Sequence, residues 1–447
     1  MLSDPIVALA TPPGRSALAV IRVSGRGAFD VAARVVPGFR RDLPRQARLA
    51  RFRDAAGELI DRGMYLVFPS PASFTGEDLV EFSCHGGHQV PARLLVALET
   101  AGARPAHPGE FTRRAVQNGK IDLLQAEAVG DLIDAEAPAQ ARAALQQLEG
   151  GLSRRIGELR SGLVDLLALL AYDVDFPEED DGPISRDRLE AQRAGVAGQI
   201  ARLLATAPLA ERVRRGALVV LAGLPNTGKS SLFNALLGID RVLVTEVPGT
   251  TRDAVEAPAD FLGWPVRLVD TAGLGLATDR LDALGQAMSR RYVEGADLVV
   301  LCDDGREGGR AGRPDEPDSL AGLAASRLLR VRTKSDLNAT LGEGLPVSAV
   351  TGEGLDQLRR GVAERLFADG VALADLEPSL TRERHRVALT RAAEALAQVS
   401  AHLAPGGDAV LAAHHVQEAV RALDTLIGAV DVEEMLDRVF ASFCVGK

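Results

Sequence analysis

Gly223-Leu-Pro-Asn226-Thr227-Gly228-Lys229-Ser230 has the residue types and spacing of a loop that grips phosphates. Glycines at both ends let backbone N–H groups close around the anion, and the amides of Asn226, Thr227, Gly228 and Ser231 add donors. Lys229 reaches the terminal phosphates, and the Ser230 hydroxyl is a ligand for Mg²⁺. Apolar Ala217–Ala222 ahead of the loop reads as a strand and Ser231–Leu237 after it as a helix, which is the context such a loop requires.

Three more elements follow in order. Asp270-Thr271-Ala272-Gly273 ends a core strand; its carboxylate suits Mg²⁺ held through water, and Gly273 permits close approach to a γ-phosphate. Thr333-Lys334-Ser335-Asp336 ends a later strand, where Asp336 accepts both guanine N–H donors and Lys334 lies along the base. Ser348-Ala349 ends the last strand and offers a backbone N–H to the guanine oxygen. Thr251, in Pro248-Gly249-Thr250-Thr251-Arg-Asp253, is the switch residue that senses the γ-phosphate. Lys229, Thr251, Asp270 and Gly273 are the catalytic candidates this pattern names.

Positioning these groups takes a particular set of elements. Apolar runs Leu218–Ala222, Val266–Asp270, Leu298–Cys302, Leu328–Thr333 and Pro346–Ala349 alternate with helical segments between 213 and 377, which predicts a doubly wound α/β sheet. Residues 1–118 read as mixed α/β, with strands at Ile6–Ala10, Leu18–Val23, Gly63–Phe68 and Leu79–Phe82. Residues 119–212 and 378–447 carry helical apolar spacing, so the α/β domain reads as an insertion in one helical domain.

Composition narrows the class. A chain of 447 residues with 46% hydrophobic and 25% charged residues reads as a multidomain globular protein, and its net charge of −10 excludes nucleic-acid binding by the surface as a whole. Cys84, Cys302 and Cys444 are too few and too far apart for a disulfide framework. With no signal segment and no apolar run long enough for a membrane, the expected compartment is the cytoplasm. Only Lys120, Lys229, Lys334 and Lys447 among 51 basic residues are lysine. In so arginine-rich a chain, a retained lysine marks a place where a compact ammonium is needed.

Motifs outside the nucleotide domain carry a resemblance. Ile6-Val-Ala-Leu-Ala-Thr-Pro-Pro-Gly14, Ala19-Val-Ile-Arg-Val-Ser-Gly25, Ser73-Phe-Thr-Gly-Glu-Asp78, His85-Gly-Gly87, Pro108-Gly-Glu-Phe-Thr112, Asn118-Gly-Lys-Ile-Asp-Leu-Leu-Gln-Ala-Glu127 and the terminal Phe443-Cys-Val-Gly-Lys447 are similar to the tRNA modification GTPase family called MnmE or TrmE, end to end. The resemblance implies a homodimer that works with a flavin-dependent partner (MnmG, or GidA). Together they modify carbon 5 of the tRNA wobble uridine, using a one-carbon unit from a 5-formyl or methylene tetrahydrofolate bound by the N-terminal domain. It extends the nucleotide site to Thr245, Glu246, Val247, Pro248, Gly249 and Thr250, and gives Mg²⁺ to Ser230 and Thr251. It gives K⁺ to Asn226, Thr245, Val247 and Thr250, and tetrahydrofolate to Arg22, Glu81, Lys120 and Lys447; Cys444 joins the catalytic candidates.

Two positions depart from the family pattern. Leu274-Gly275-Leu276 stands where members carry a segment like Leu-Arg-Glu, whose glutamate organises the attacking water. Either hydrolysis is slow or another group, such as Asp279 or Asp282, serves. The base motif begins with Thr333 in place of asparagine, a mild change because Asp336 keeps the discrimination. Two alternatives stay open: a nucleotide-gated scaffold of the same complex with little hydrolysis, and a ribosome-assembly GTPase. The arginines at 40, 41, 45, 48, 51 and 53 read either as a tRNA phosphate contact or, more ordinarily, as a solvated face. His85 lacks the neighbours of a metal site, and its Gly-Gly turn reads as structural or folate-lining.

Overall fold

The computed structural model describes residues 4–175, 185–238, 255–271, 290–305, 323–337, 344–367, 380–404 and 407–428, together with 440, 443 and 446. The chain divides into two compact units. The first comprises residues 1–130, 153–171 and 413–447, and the second 131–152 and 172–412.

In the first unit a six-stranded sheet has the order β3-β4-β5-β2-β1-β6. Its strands are β1 (Ile6–Leu9), β2 (Leu18–Ser24), β3 (Arg48–Arg53), β4 (Leu59–Phe68), β5 (Leu79–His85) and β6 (Arg104–Pro105). Pairing is antiparallel except where β6 runs parallel to β1. Alternation buries one face: Ile21, Val23, Phe52, Tyr65, Val67, Val80 and Phe82 pack in one core with α1 (Ala28–Val35) and α2 (Gln89–Thr100). Helices α3 (Glu110–Gln117) and α4 (Leu123–Ile133) follow.

In the second unit the sheet order is β12-β11-β10-β7-β9-β8. These strands are β7 (Ala217–Ala222), β8 (Val255–Phe261), β9 (Trp264–Asp270), β10 (Leu298–Asp303), β11 (Leu328–Arg332) and β12 (Leu345–Pro346). All neighbours are parallel except the edge pair β8–β9. The central strands read as unbroken apolar runs because helices cover both faces of such a sheet, and Val219, Val220 and Leu221 are fully buried. Trp264 stacks on Phe367 at 4.6 Å, which seats α10 (Leu355–Phe367) against the sheet.

Helices precede and follow this sheet in the chain, as the spacing predicts. Before it come α5 (Pro138–Leu148), α6 (Gly151–Asp175), α7 (Arg186–Ala205) and α8 (Ala207–Arg215). After α9 (Lys229–Leu237) and α10, the chain ends in α11 (Glu383–Leu403) and α12 (Ala409–Ile427). Helices α7 and α11 pack on one another within the second unit. Among the described residues no helix is long and apolar enough to cross a membrane.

Candidate functional site

The phosphate-type loop leaves the C-terminal end of β7 and closes at the N-terminus of α9. Gly223 has φ 145°, and a Cβ there would lie 2.3 Å from the Cys302 carbonyl oxygen at the end of β10. No side chain fits between these two strand ends. Asn226 (φ 63°) and Gly228 (φ 85°) adopt left-handed backbone, so the loop curls and directs the first amides of α9 inward. Lys229 is 6% exposed, and its Nζ donates to the carbonyls of Gly223 (3.0 Å) and Leu224 (2.8 Å). Burial pulls its pKa below the usual lysine value, while the Asp270 carboxylate works against that shift.

Asp270 ends β9 opposite Leu221 of β7 and is 4% exposed, so a buried carboxylate stands beside the loop. The Thr271 hydroxyl donates to the Leu221 carbonyl (2.7 Å), which fixes the start of the segment after Asp270. Cys302 lies behind the loop, its thiol pushed up to about 12 by burial, and is no nucleophile at neutral pH.

The base-side motif sits one strand further on. The Thr333 hydroxyl donates to the Thr227 carbonyl, with the Asp303 carbonyl 3.1 Å away, and the Thr333 amide donates to the Asp303 carbonyl (2.7 Å). Lys334 has φ 55°; its Nζ donates to the Asn226 carbonyl (2.6 Å) and pairs with Asp304 at 2.8 Å. Ser348 is fully buried, donates its hydroxyl to Asp336 Oδ1 (2.6 Å), and accepts from the amides of Val350 and Thr351. Ala349 follows it at the loop beyond β12. Ser230 and Ser231 are exposed at the start of α9. Thr245, Glu246, Val247, Pro248, Gly249, Thr250, Thr251, Ala272, Gly273 and the Leu274–Leu276 segment lie outside the described residues.

Sequence reasoning missed Asp303 and Asp304. Their signal was an acidic pair closing an apolar strand run, at the edge where ligands of such sheets gather.

The first unit assembles the other group of candidates. Arg22 and Glu81 face each other across β2–β5 and form an ion pair at 2.7 Å. Lys120 donates to the Pro71 carbonyl (3.0 Å), and Asn118 donates to the Thr75 carbonyl (2.7 Å), so the Asn118–Lys120 turn grips the 71–76 loop. That loop reaches β2 through a hydrogen bond between the Thr75 and Ser24 hydroxyls (2.7 Å) and one from Ser24 to Glu77 (3.1 Å). Behind it lies Arg114, 1% exposed, which bonds Glu77 at 3.1 Å, Glu110 at 2.9 Å and the Asp4 carbonyl at 2.9 Å. Burial alone would raise the Glu110 carboxyl; hydrogen bonds from Arg104, the His107 amide and Arg114 outweigh it and hold the pKa at about 2. Lys447 and Cys444 lie outside the described residues, but Gly446 between them is close-packed. A Cβ there would lie 2.4 Å from the Leu9 carbonyl oxygen.

His85 Nδ1 meets the Asp61 carboxylate at 2.9 Å, and the described residues hold no group of three metal-ligating side chains. Of the arginines at 40–53, Arg40 and Arg48 pair with Asp42, Arg45 donates to the Ala72 carbonyl, and Arg53 to Gly57.

A parallel sheet with one antiparallel edge, a Gly223–Ser230 loop between strand and helix, and a Thr-Lys-Ser-Asp turn tied to that loop define a P-loop GTPase domain. Comparison with known proteins extends this to the whole chain. The family model described as "GTP-binding protein TrmE N-terminus" matches residues 5–120, and the one described as "MnmE helical domain" matches 123–444. The tRNA modification GTPase MnmE of Thermus thermophilus is 44% identical over 455 residues, covering 100% of both chains. That of Methylorubrum populi is 45% identical over 458 residues, covering 99% of this chain and 98% of its own. The solved G domain of the T. maritima FeoB iron transporter is 30% identical and covers 33% of this chain and 98% of its own, with a TM-score of 0.25. The chain belongs to the MnmE family of tRNA modification GTPases.

Proposed function

We propose that the chain binds and hydrolyses GTP with Mg²⁺ in the course of tRNA wobble-uridine modification. The observation that carries this reading is the direct bonding of the base motif to the phosphate loop, Thr333 to Thr227 and Lys334 to Asn226. With those bonds one guanine nucleotide spans both motifs, its base at Asp336 and its phosphates at Lys229. The Ser230 hydroxyl and the buried Asp270 carboxylate are hard oxygen donors beside the loop and fit Mg²⁺; Thr251 is the third oxygen we assign to it. When bound, the ion neutralises charge on the phosphate oxygens. Lys229 supplies the fixed positive charge for the terminal phosphates, and the α9 N-terminus supplies amides.

The finer assignments follow the family resemblance. Tetrahydrofolate goes to Arg22, Glu81, Lys120 and Lys447, and K⁺ to Asn226, Thr245, Val247 and Thr250. Cys444 is carried as a catalytic thiol, and Gly273 as the γ-phosphate contact. The domain division is 1–118, 119–212, 213–377 and 378–447. The assembly is a cytoplasmic homodimer acting with the flavin-dependent MnmG-type subunit. Support for the folate reading is chemical: Glu81 is an acceptor for paired pterin N–H donors, and the cations suit the carboxylates of the glutamate tail. Nucleoside analysis of tRNA from a deletion strain tests the proposal; a full complement of modified wobble uridine there would reject it.

Leu276 favours a second reading, a nucleotide-gated member of the same complex that turns GTP over slowly, because leucine has no lone pair to hold the attacking water. We expect Leu276→Glu to raise steady-state turnover by at least about tenfold. No gain in that assay would assign the water to another side chain.

A further inference from the structure

We propose that Asp304 is a positioning residue for the guanine base, acting through Lys334 without touching the nucleotide. The proposal rests on the GTP-binding reading above and deepens it. Lys334 is the side chain that lies along the base, yet it projects from a left-handed residue (φ 55°) on a surface turn, where a four-carbon stem has wide rotamer freedom. Two acceptors remove that freedom: the Asn226 carbonyl at 2.6 Å and Asp304 Oδ2 at 2.8 Å. The pair is well shielded, with Lys334 26% and Asp304 13% exposed, so the attraction is screened less than at an open surface.

The origin of the two acceptors matters. Asn226 belongs to the phosphate loop, and Asp304 directly follows β10, whose last residue, Asp303, accepts from the amide of Thr333 and lies 3.1 Å from its hydroxyl. Residues 303–304 therefore grip the first two residues of the base motif. The same two side chains, Thr333 and Lys334, then reach the loop at Thr227 and Asn226. The Asp304 carboxylate is the charged partner of Lys334 in this bracket, and it sets where the ammonium stands before the base arrives. Without it, ordering Lys334 falls on the binding step, which weakens affinity and speeds release.

A purely structural ion pair makes a different prediction, namely loss of folding stability with no preference among nucleotide parameters. The test uses the full-length chain with mant-GDP and the corresponding inosine nucleotide in stopped flow. Asp304→Asn should raise the Kd for both nucleotides by about tenfold, mainly through faster dissociation, leaving their ratio unchanged because Asp336 reads the base edge. Asp304→Glu should restore at least half of the loss on a logarithmic scale. Melting of the nucleotide-free protein should shift little for either variant. A Kd for Asp304→Asn within twofold of wild type overturns the proposal. So does a weakening that is matched by a lower melting temperature and left unrescued by glutamate. Failure of the wild-type chain to bind mant-GDP would instead overturn the GTP-binding reading itself.

Discussion

Thr333 shows what the first position of the base motif must do. Its hydroxyl donates to the Thr227 carbonyl, so the departure from asparagine keeps the tie between the base turn and the phosphate loop. In the proposed reading base discrimination then falls to Asp336, one of whose oxygens is oriented by the buried Ser348 hydroxyl. A carboxylate accepts from guanine N1–H and the 2-amino group, whereas an amide offers one donor and one acceptor. Asp336→Asn should therefore weaken GDP binding by about a hundredfold or more and strengthen binding of xanthosine diphosphate, whose 2-oxo group accepts from the new amide. Competition binding with both nucleotides checks this, and an unchanged GDP to XDP ratio would refute it. These residues were legible in the sequence because the loop, Asp270 and the Thr-Lys-Ser-Asp turn are local patterns. The part we assign to Asp304 was not, because it is defined by a lysine thirty residues away in sequence.

At the scale of elements, the apolar central strands of both sheets stood out, as did the edge strand β12 (expected over 346–349, found at Leu345–Pro346), whereas β3, β6 and β8 did not. Strand β3 (Arg48–Arg53) reads as a basic stretch because three of its six residues are arginine, while Phe52 faces inward to meet Phe82 edge-on at 5.6 Å. Strand β8 contains Pro258 and two acidic residues, which an edge strand tolerates. Its hairpin turn, Leu262-Gly263, has positive φ at both positions without the asparagine or aspartate that would announce it. Helix α3 hides a second long-range feature: Glu110 and Glu77, from two separate motifs, both bond the buried Arg114. The folded pKa of Glu110 is about 2 against an ordinary 4.5. A depressed carboxylate contributes stability that is complete above pH 4.5 and is lost as pH falls toward 2, amounting to roughly 3 kcal/mol. Arg114→Met would leave two carboxylates without their shared cation and should cost about 3–5 kcal/mol. Denaturant melts between pH 7 and pH 3 read both effects. A wild-type stability flat across that range would exclude the network as the source of acid sensitivity.

At the scale of the whole molecule, the two candidate sites belong to different compact units, and the chain's C-terminus belongs to the first. Three described residues near that end meet the N-terminal region directly. A Cβ on Gly109 would lie 2.9 Å from Phe440 Cβ, one on Gly130 would lie 3.5 Å from the Phe443 ring, and one on Gly446 would lie 2.4 Å from the Leu9 carbonyl. A fraying terminus makes no such succession of close contacts. Leu9 ends β1, whose Ala8 is registered with Arg22 of β2, and Arg22 in turn pairs with Glu81. The tail thus reaches the strand beside the proposed folate cations within a single chain. Deleting residues 444–447 removes Lys447 and the Gly446 anchor while leaving β7, β9, β10 and β11 intact. Calorimetry should then show 5-formyl-tetrahydrofolate binding weakened by at least about a hundredfold, the equivalent of about 3 kcal/mol. The GDP Kd should stay within about twofold, because every described group at the nucleotide site lies in the other unit. Folate affinity surviving the deletion would remove Lys447 from the site and leave Arg22, Glu81 and Lys120 to hold the ligand alone. A parallel loss of GDP affinity would show that the tail supports the whole chain and not one site.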